Sequence, residues 1–589
     1  MDFLIENFKH LTTTPQNVEQ LKKLVLQLAL QGKLTAKWRE ENPNVVLASV
    51  LIEKIKVEKE LLIKDGKIKR EKPLLKITDD EKPFELPNSW VWERLGSISY
   101  FLSGNNFSSG DFKKGLGVKC IKITNAGVGK IIETDDVLPY EFSKKFNSFL
   151  IYEDDIILAL TRPYIAEGLK VSKCPSSYNG SLLNQRVAAI KVNKPISQEF
   201  VFQFLRSEFV LSTYKLMFNG KIQQPNLKKE DVTFLLIPIP PLAEQLAIID
   251  TVEKLFAEID QLHTLAQKKI ALRENAAKAL FGKINNPVNR EDIKQTWQQL
   301  TANFKNLTQS KDSIKQLRQT ILQMAVQGKL TAKWREENPN VEPANILLKR
   351  IQTDKEFLIK TKVIPNPKPL PKIDIDKLNF QIPISWSLCR LESICSHITD
   401  IDHKMPSSVE TEGVKFISAK DINDDGTINL SYRIKMISVR DYERLSKRIK
   451  PQRNDIIYSR IGTVGKAAIV NTDEIFLPSY SCCTIRVIDT RFDSYLQKVL
   501  SSNFVLEQAF GEMTSNSVPD LGIKKIKEFI IPLPPLEEQQ EIVTKVNNLM
   551  VLCDELEKKI EKRDSYQERI MQSVVKQAFT TKLETVETE

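Results

Sequence analysis

Fifteen consecutive residues occur twice in this chain. QGKLTAKWREENPNV fills positions 31–45 and returns unchanged at 327–341, a shift of 296. An unbroken repeat of that length, at that distance, excludes a single continuous domain and a short-period solenoid, and points to two copies of one architectural unit. The preceding helix repeats in register, its apolar stripe Leu21, Val25, Leu28 becoming Leu317, Ile321, Met324. Asn17 with Gln20, and Ser313 with Gln316, read as capping boxes at the two helix starts, and Gly32 and Gly328 as the residues that end them. Further on, FELPNSWVWERLGSIS (84–99) answers FQIPISWSLCRLESIC (380–395), and IPIPPLAEQ (237–245) answers IPLPPLEEQ (531–539). A third echo aligns 570–580 with 321–331, so the helix recurs near the start, middle and end of a pseudo-two-fold chain.

Each copy runs in the same order. A connector rich in Lys, Glu and Pro (about 42–83 and 338–379) leads into a mixed segment with strand-like pieces, DIILAL (155–160), RVAAIKV (186–192) and DIIYSR (455–460). Pro240–Pro241 and Pro534–Pro535 close each segment, since proline cannot extend a strand ladder. A long helix follows each pair. Its seam reads Ile249, Val252, Phe256, Ile259, His263, Ala266, Ile270, Arg273, Ala277, Leu280 in the first copy, and runs from Val543 through Val546, Met550, Cys553 and Ile560 to Ala578 in the second. That spacing predicts two rods of roughly 60 Å packed antiparallel on each other. The expected fold is α+β, two mixed α/β domains in pseudo-two-fold tandem repeat with two long antiparallel coiled-coil helices. The expected boundaries are 1–83 (N-terminal helix and connector), 84–241 (first mixed domain), 242–379 (central helical region), 380–535 (second mixed domain) and 536–589 (C-terminal helix).

Composition narrows the function classes. With 41% hydrophobic and 27% charged residues the chain is globular in type, and apolar runs such as 234–241 are far shorter than the ~20 residues of a membrane span. The seven cysteines include no C-x-x-C pair and no zinc spacing, which suits a reducing cytoplasm. A net charge of +11 invites a polyanion. Catalytic signatures are missing. GTVGK (462–466) lacks the spacing of a phosphate-cradling loop, no G-x-G-x-x-G occurs, and the Pro-Pro pairs are not the Asn/Asp-Pro-Pro-Tyr/Phe of amino-methyltransferases. The four histidines, His10, His263, His397 and His403, are dispersed, which predicts neither a metal cluster nor a triad.

Over nearly its whole length the chain resembles the specificity subunits of type I restriction-modification systems. The resemblance rests on the P-x-P-P-L-x-E-Q joints at 238–245 and 532–539, the P-x-S-W entries at 87–90 and 383–386, the duplicated QGKLT turns, and DIIYSRIGTVG at 455–465. In the first copy DIILALTRP (155–163) keeps the strand but lacks both glycines. The resemblance implies that the mixed segments are target recognition domains, each reading one half of a split, asymmetric DNA sequence, held apart by the helices as by a ruler. It implies a chain that is non-catalytic by itself. Two methyltransferase subunits would dock on the duplicated helical regions and restriction/translocase subunits would join them. S-adenosylmethionine, ATP and Mg²⁺ would belong to those partners, with no cofactor or metal on this chain.

Base reading takes Arg or Lys for guanine and Asn or Gln for adenine, with phosphate contacts setting register. Candidate DNA-binding residues in the first domain are Asn105, Asn106, Thr161, Arg162, Asn184, Gln185, Arg186, Lys221, Gln223 and Gln224. In the second they are Lys420, Ser459, Arg460, Lys466, Ser479, Tyr480, Ser515 and Asn516. The stretch 433–453 holds eight basic residues against two acidic ones and is a candidate phosphate rail. Leu34, Trp38 and their copies Leu330 and Trp334 are candidate partner-binding residues; the plainer reading packs each Trp on its own helix. The alternatives to a specificity subunit are a DNA methyltransferase or nuclease acting alone, and a stand-alone coiled-coil DNA-binding scaffold.

Overall fold

The computed structural model describes residues 14–65, 74–166, 168–218, 225–285, 290–375, 378, 380–410, 412–511 and 519–579. It divides into two units, Met1–Lys269 with Asp564–Glu589, and Ile270–Arg563.

In the first unit the helix Pro15–Leu30 begins one turn earlier than the capping-box reading. Thr14 is its N-cap, taking the Asn17 N–H at 3.2 Å, because Pro15 with its fixed φ starts the helix at the next position. The second-unit counterpart, Lys311–Val326, is capped by Ser310 in reciprocal bonds with Ser313 at 3.2 Å. Both helices end as the glycines require. Gly32 sits at φ +68°, with its N–H on Ala29 O and that of Lys33 on Leu28 O; Gly328 does the same at φ +68°.

The first mixed segment is built on two sheets. One orders Val171–Lys173, Ile156–Ala159, Val187–Val192 and Ser99–Ser103, all antiparallel. The other pairs Val118–Ile121 with Ser181–Leu183 in parallel, flanked by shorter strands. In the second unit Cys395–Thr399, Cys482–Val487, Ile456–Ser459 and Ala467–Ile469 form the first sheet, and Val414–Ile417 pairs in parallel with Phe476–Pro478 in the second. Read from its other edge, the first sheet has the same order in both units. Apolar residues on one face of Ile156–Ala159 and Val187–Val192 pack on the neighbouring helices, and those on the other face meet the second sheet, which accounts for the near-continuous apolar runs.

The segment's two ends are held together by a short ladder, Val91↔Ile239 to Arg94↔Leu236, repeated as Ser387↔Leu533 to Arg390↔Ile530. Beyond the Pro-Pro pairs run the 44-residue helices Leu242–Asn285 and Leu536–Phe579. Within its unit, the first half of each long helix packs on the preceding short one. Ile249, Val252, Phe256 and Ile259 join the core around Leu21 and Val25, and Val543, Val546, Met550, Cys553 and Ile560 join that around Ile314 and Ile321. In the second unit Ala277, Leu280 and Phe281 pack with Leu300 and Leu307 of the helix Arg290–Leu307.

All three duplicated motifs meet at one carboxylate in each unit. Glu244, of the Pro-Pro-Leu-Ala-Glu-Gln joint, is fully buried. It accepts Thr35 Oγ1 at 2.7 Å and Trp90 Nε1 at 2.8 Å and pairs with the Arg39 guanidinium, which also donates to Gly32 O at 2.7 Å. Glu538 repeats this with Thr331 at 2.7 Å, Trp386 at 2.8 Å and Arg335. Gly32 and Gly328 complete the lock, since a Cβ there would stand 2.7 Å from Pro87 Cγ or Pro383 Cγ. The repeated turn, the P-x-S-W entry and the joint are therefore three sides of one contact.

All seven cysteines are free and buried. Burial disfavours the thiolate, pushing Cys120, Cys174, Cys389 and Cys482 up to about 12 and Cys395, Cys483 and Cys553 upward. The native chain is therefore expected to resist iodoacetamide at pH 8 and to take up seven equivalents once unfolded. Native alkylation at the unfolded rate would contradict this packing. Among the described residues no helix is long and apolar enough to cross a membrane, and no group of His, Cys, Asp or Glu could hold a metal ion.

Candidate nucleic-acid interface

At one edge of the first domain four chain segments are stitched together by backbone hydrogen bonds. Asn105 N–H donates to Leu183 O and Gln185 N–H to Asn105 O, both at 2.8 Å, and Leu160 N–H to Arg186 O at 2.9 Å. Arg162 N–H donates to Pro225 O at 2.9 Å and Leu227 N–H to Leu160 O at 2.8 Å. Gly104 permits the first contact, because a Cβ there would fall 2.1 Å from Asn184 O. The main chain is thus committed to itself and the side chains are left over. Asn106, Arg162, Gln185 and Arg186 are exposed, while Asn105, Thr161 and Asn184 are half-buried. Lys221, Gln223 and Gln224 lie outside the described residues.

The same bonds recur in the second domain. Ser479 N–H donates to Ile417 O as Asn184 N–H does to Ile121 O; Arg460 N–H donates to Ser481 O as Leu160 N–H does to Arg186 O. Gly462 N–H to Pro519 O, and Leu521 N–H to Arg460 O, match Arg162 to Pro225 and Leu227 to Leu160. Asn184-Gln185-Arg186 therefore corresponds to Ser479-Tyr480-Ser481, and Leu160-Thr161-Arg162 to Arg460-Ile461-Gly462. The glycine missing from the first copy is replaced by Arg162 itself, which takes the left-handed conformation at φ +48° where Gly462 has +78°. After it the first domain inserts a hairpin, Tyr164–Ile165 with Gly168–Leu169, before Lys170 O accepts the Ala159 N–H; in the second, Lys466 O accepts the Ser459 N–H directly.

Burial corrects several expectations for the second domain. Ser459 is fully buried, its Oγ taking the Lys466 N–H at 2.8 Å. Arg460 is 3% exposed, its guanidinium held by Asp520 Oδ1 at 2.7 Å, Asp400 Oδ2 at 2.9 Å and Leu521 O at 3.2 Å. Ser479 is buried against Ser481, and Lys466 Nζ is bound to Ile422 O and Asp424. None of the four presents a free group to a base. Lys420 is exposed and Tyr480 half-buried at the surface; Ser515 and Asn516 lie outside the described residues. Beside Tyr480 stands His403, whose ring stacks on it with centroids 5.1 Å apart. The sequence shows His403 only as one of four dispersed histidines, Asp520 only as the start of a nuclease motif that no Glu-x-Lys completes, and gives no sign of Asp400; the one available signal was a charged Arg at the end of an apolar strand, which needs an acid to be buried. In the basic stretch every cation except Lys435 is exposed, although Arg444 and Arg453 are paired with Asp441 and Asp473. Leu34 and Leu330 are half-buried and pack on their own cores; Trp38 and Trp334 are half-exposed on six-residue helices with no buried residue.

A family model described as the type I restriction modification DNA specificity domain matches residues 87–272 and 383–563. The chain belongs to this family. Each matched span opens on the proline of a P-x-S-W entry and runs through a recognition domain and its joint into a long helix, so the domain occurs twice in tandem. Among its relatives, the type I restriction enzyme EcoEI specificity subunit of Escherichia coli is 26% identical over 561 residues, spanning 92% of this chain and 91% of that one. The EcoAI specificity subunit of the same organism is 28% identical over 561 residues, with 92% and 90% covered. A solved structure, the HsdS subunit from Thermoanaerobacter tengcongensis, is 20% identical with a TM-score of 0.41, covering 84% of this chain and 98% of that one.

Proposed function

We propose that this chain is the DNA-specificity subunit of a type I restriction-modification complex, non-catalytic by itself and cytoplasmic, whose two domains each bind one half of a bipartite, asymmetric DNA site. The observation that carries this reading is a single hydrogen-bonded frame bearing Asn184-Gln185-Arg186 in one domain and Ser479-Tyr480-Ser481 in the other. An amide and a guanidinium suit adenine and guanine edges; in the second domain the two serine hydroxyls are bonded to each other and to their neighbours, and the Tyr480 phenol is the group that differs. Two copies of one frame with unlike side chains read two unlike half-sites. The exposed cations of 433–453 supply phosphate contacts that position the second domain without reading sequence. Trp38 and Trp334, duplicated and half-exposed, are anchors for two methyltransferase subunits, on which restriction subunits and the S-adenosylmethionine, ATP and Mg²⁺ they use assemble.

Co-expression with the methyltransferase subunit tests this. Native mass spectrometry is expected to give two methyltransferase copies per chain, and mapping of methylated adenines a two-part motif interrupted by unspecified bases. A one-to-one complex at saturation, or a contiguous palindromic motif, would contradict it.

A further inference from the structure

The geometry points to His403 and Tyr480 as a stacked platform that determines base preference in the second half-site, with the buried Arg460 as its positioning residue. This rests on the reading that these loops meet DNA.

Arg460 occupies the place that Leu160 holds in the first domain, so its charge is not needed to build the frame. A buried guanidinium is costly unless acids and carbonyls meet it. Here it is met from two chain segments, each sixty residues away: Asp400 follows the strand Cys395–Thr399, and Asp520 with Leu521 precedes the short helix Ile523–Lys527. One side chain thereby ties the loops at 400–403, 460–462 and 519–521 to each other. The Arg460–Asp400 pair is nearly dry, with side chains 4% and 9% exposed, and Arg448 stands 3.7 Å from the other Asp400 oxygen.

On the outer side of this clamp sits His403. Its Nε2 lies 3.1 Å from Asp400 Oδ2 and 3.4 Å from Arg460 Nη2, so the inner edge of the ring is fixed. The ring lies at 24° to that of Tyr480 and its side chain is 60% exposed. Tyr480 itself stands where the first domain displays Gln185. Ala419 N–H donates to Ser481 Oγ at 3.1 Å, which brings the exposed Lys420 beside the same spot. The inner part of Tyr480 packs on the core around Ile401, Phe416 and Leu477, while its outer face carries the exposed His403 ring at the position that displays an amide in the other domain. A rigid stacked surface with one phenolic hydroxyl and one ring nitrogen can contact a base edge at low entropic cost, because the clamp has already ordered it.

The test uses the assembled methyltransferase complex and a pool of duplexes randomised at both half-sites. His403→Ala and Tyr480→Ala are expected to leave complex assembly and the first half-site preference as in the parent, with the unfolding temperature kept in the first variant and lowered in the second by the lost packing of Tyr480 on its core. Each relaxes the second half-site by about tenfold at one or two adjacent positions. Arg460→Leu, which installs the first domain's residue, is expected to relax the same positions, and Arg460→Lys to restore part of the preference. Unchanged second half-site preferences in both surface variants would overturn the platform while leaving DNA reading intact, as would an Arg460→Leu variant altered only in unfolding temperature. A parent complex with no preference in either half would overturn the platform together with the reading beneath it.

Discussion

Replacing Glu244 by Ala is expected to destabilise the first unit by about 3–5 kcal/mol, and Glu538→Ala to do the same to the second. Each carboxylate is fully buried and has three partners, Thr35, Arg39 and Trp90 for Glu244, and Thr331, Arg335 and Trp386 for Glu538. Truncation leaves a guanidinium whose side chain is only 21% exposed facing a cavity, and an indole N–H without an acceptor. The loss is a large share of a domain stability of ~5–15 kcal/mol, so a fall in unfolding temperature on the order of 10 °C follows. Glu→Gln keeps the shape but places an amide where the arginine needs an anion, and its effect should be intermediate. Calorimetry of the single and double variants decides: losses below about 1 kcal/mol would mean that the joint is not what holds the three repeated motifs together.

That joint also explains why so much of the architecture was legible in the sequence. The turn, the tryptophan entry and the Pro-Pro joint are duplicated as strings because they touch one another, and a contact made twice constrains six stretches of chain. The terminal glycines were legible because a left-handed residue against a proline leaves no room for any other side chain. The helix starts were placed three residues late, since Asn17 and Ser313 look like caps while the residues that cap are Thr14 and Ser310. The candidate edge was legible as a neighbourhood and not residue by residue. Asn105, Arg162, Asn184, Gln185 and Arg186 do converge, because strand ends of one sheet share an edge. Arg460 was misplaced because its acids are sixty residues away in either direction, and local pattern carries no trace of such a partner. The backbone bonds set Arg162 against Gly462 and Arg460 against Leu160, so the two arginines are not counterparts.

The second large effect concerns specificity. Exchanging residues 84–241 for the corresponding segment of another family member is expected to replace one half of the recognised sequence and leave the other untouched. The segment's ends are paired from Val91↔Ile239 to Arg94↔Leu236, so a transplant re-enters the chain at adjacent points and meets the same buried glutamate. Inside it, the frame at Asn105, Leu160 and Asn184 is held by main-chain bonds that do not depend on side-chain identity, so the loops can carry a different set of bases without disturbing the second domain. A change of even one base-reading side chain is worth ~1–3 kcal/mol of discrimination, and a whole set alters the motif outright.

Methylome sequencing of cells carrying the exchanged chain with its methyltransferase subunit decides whether each domain reads its own half-site. The expected result is a two-part adenine-methylation motif in which one half is that of the donor and the other half is the parent's, letter for letter. Simultaneous change of both halves, or of neither in an active complex, would contradict the assignment of one domain to each half-site.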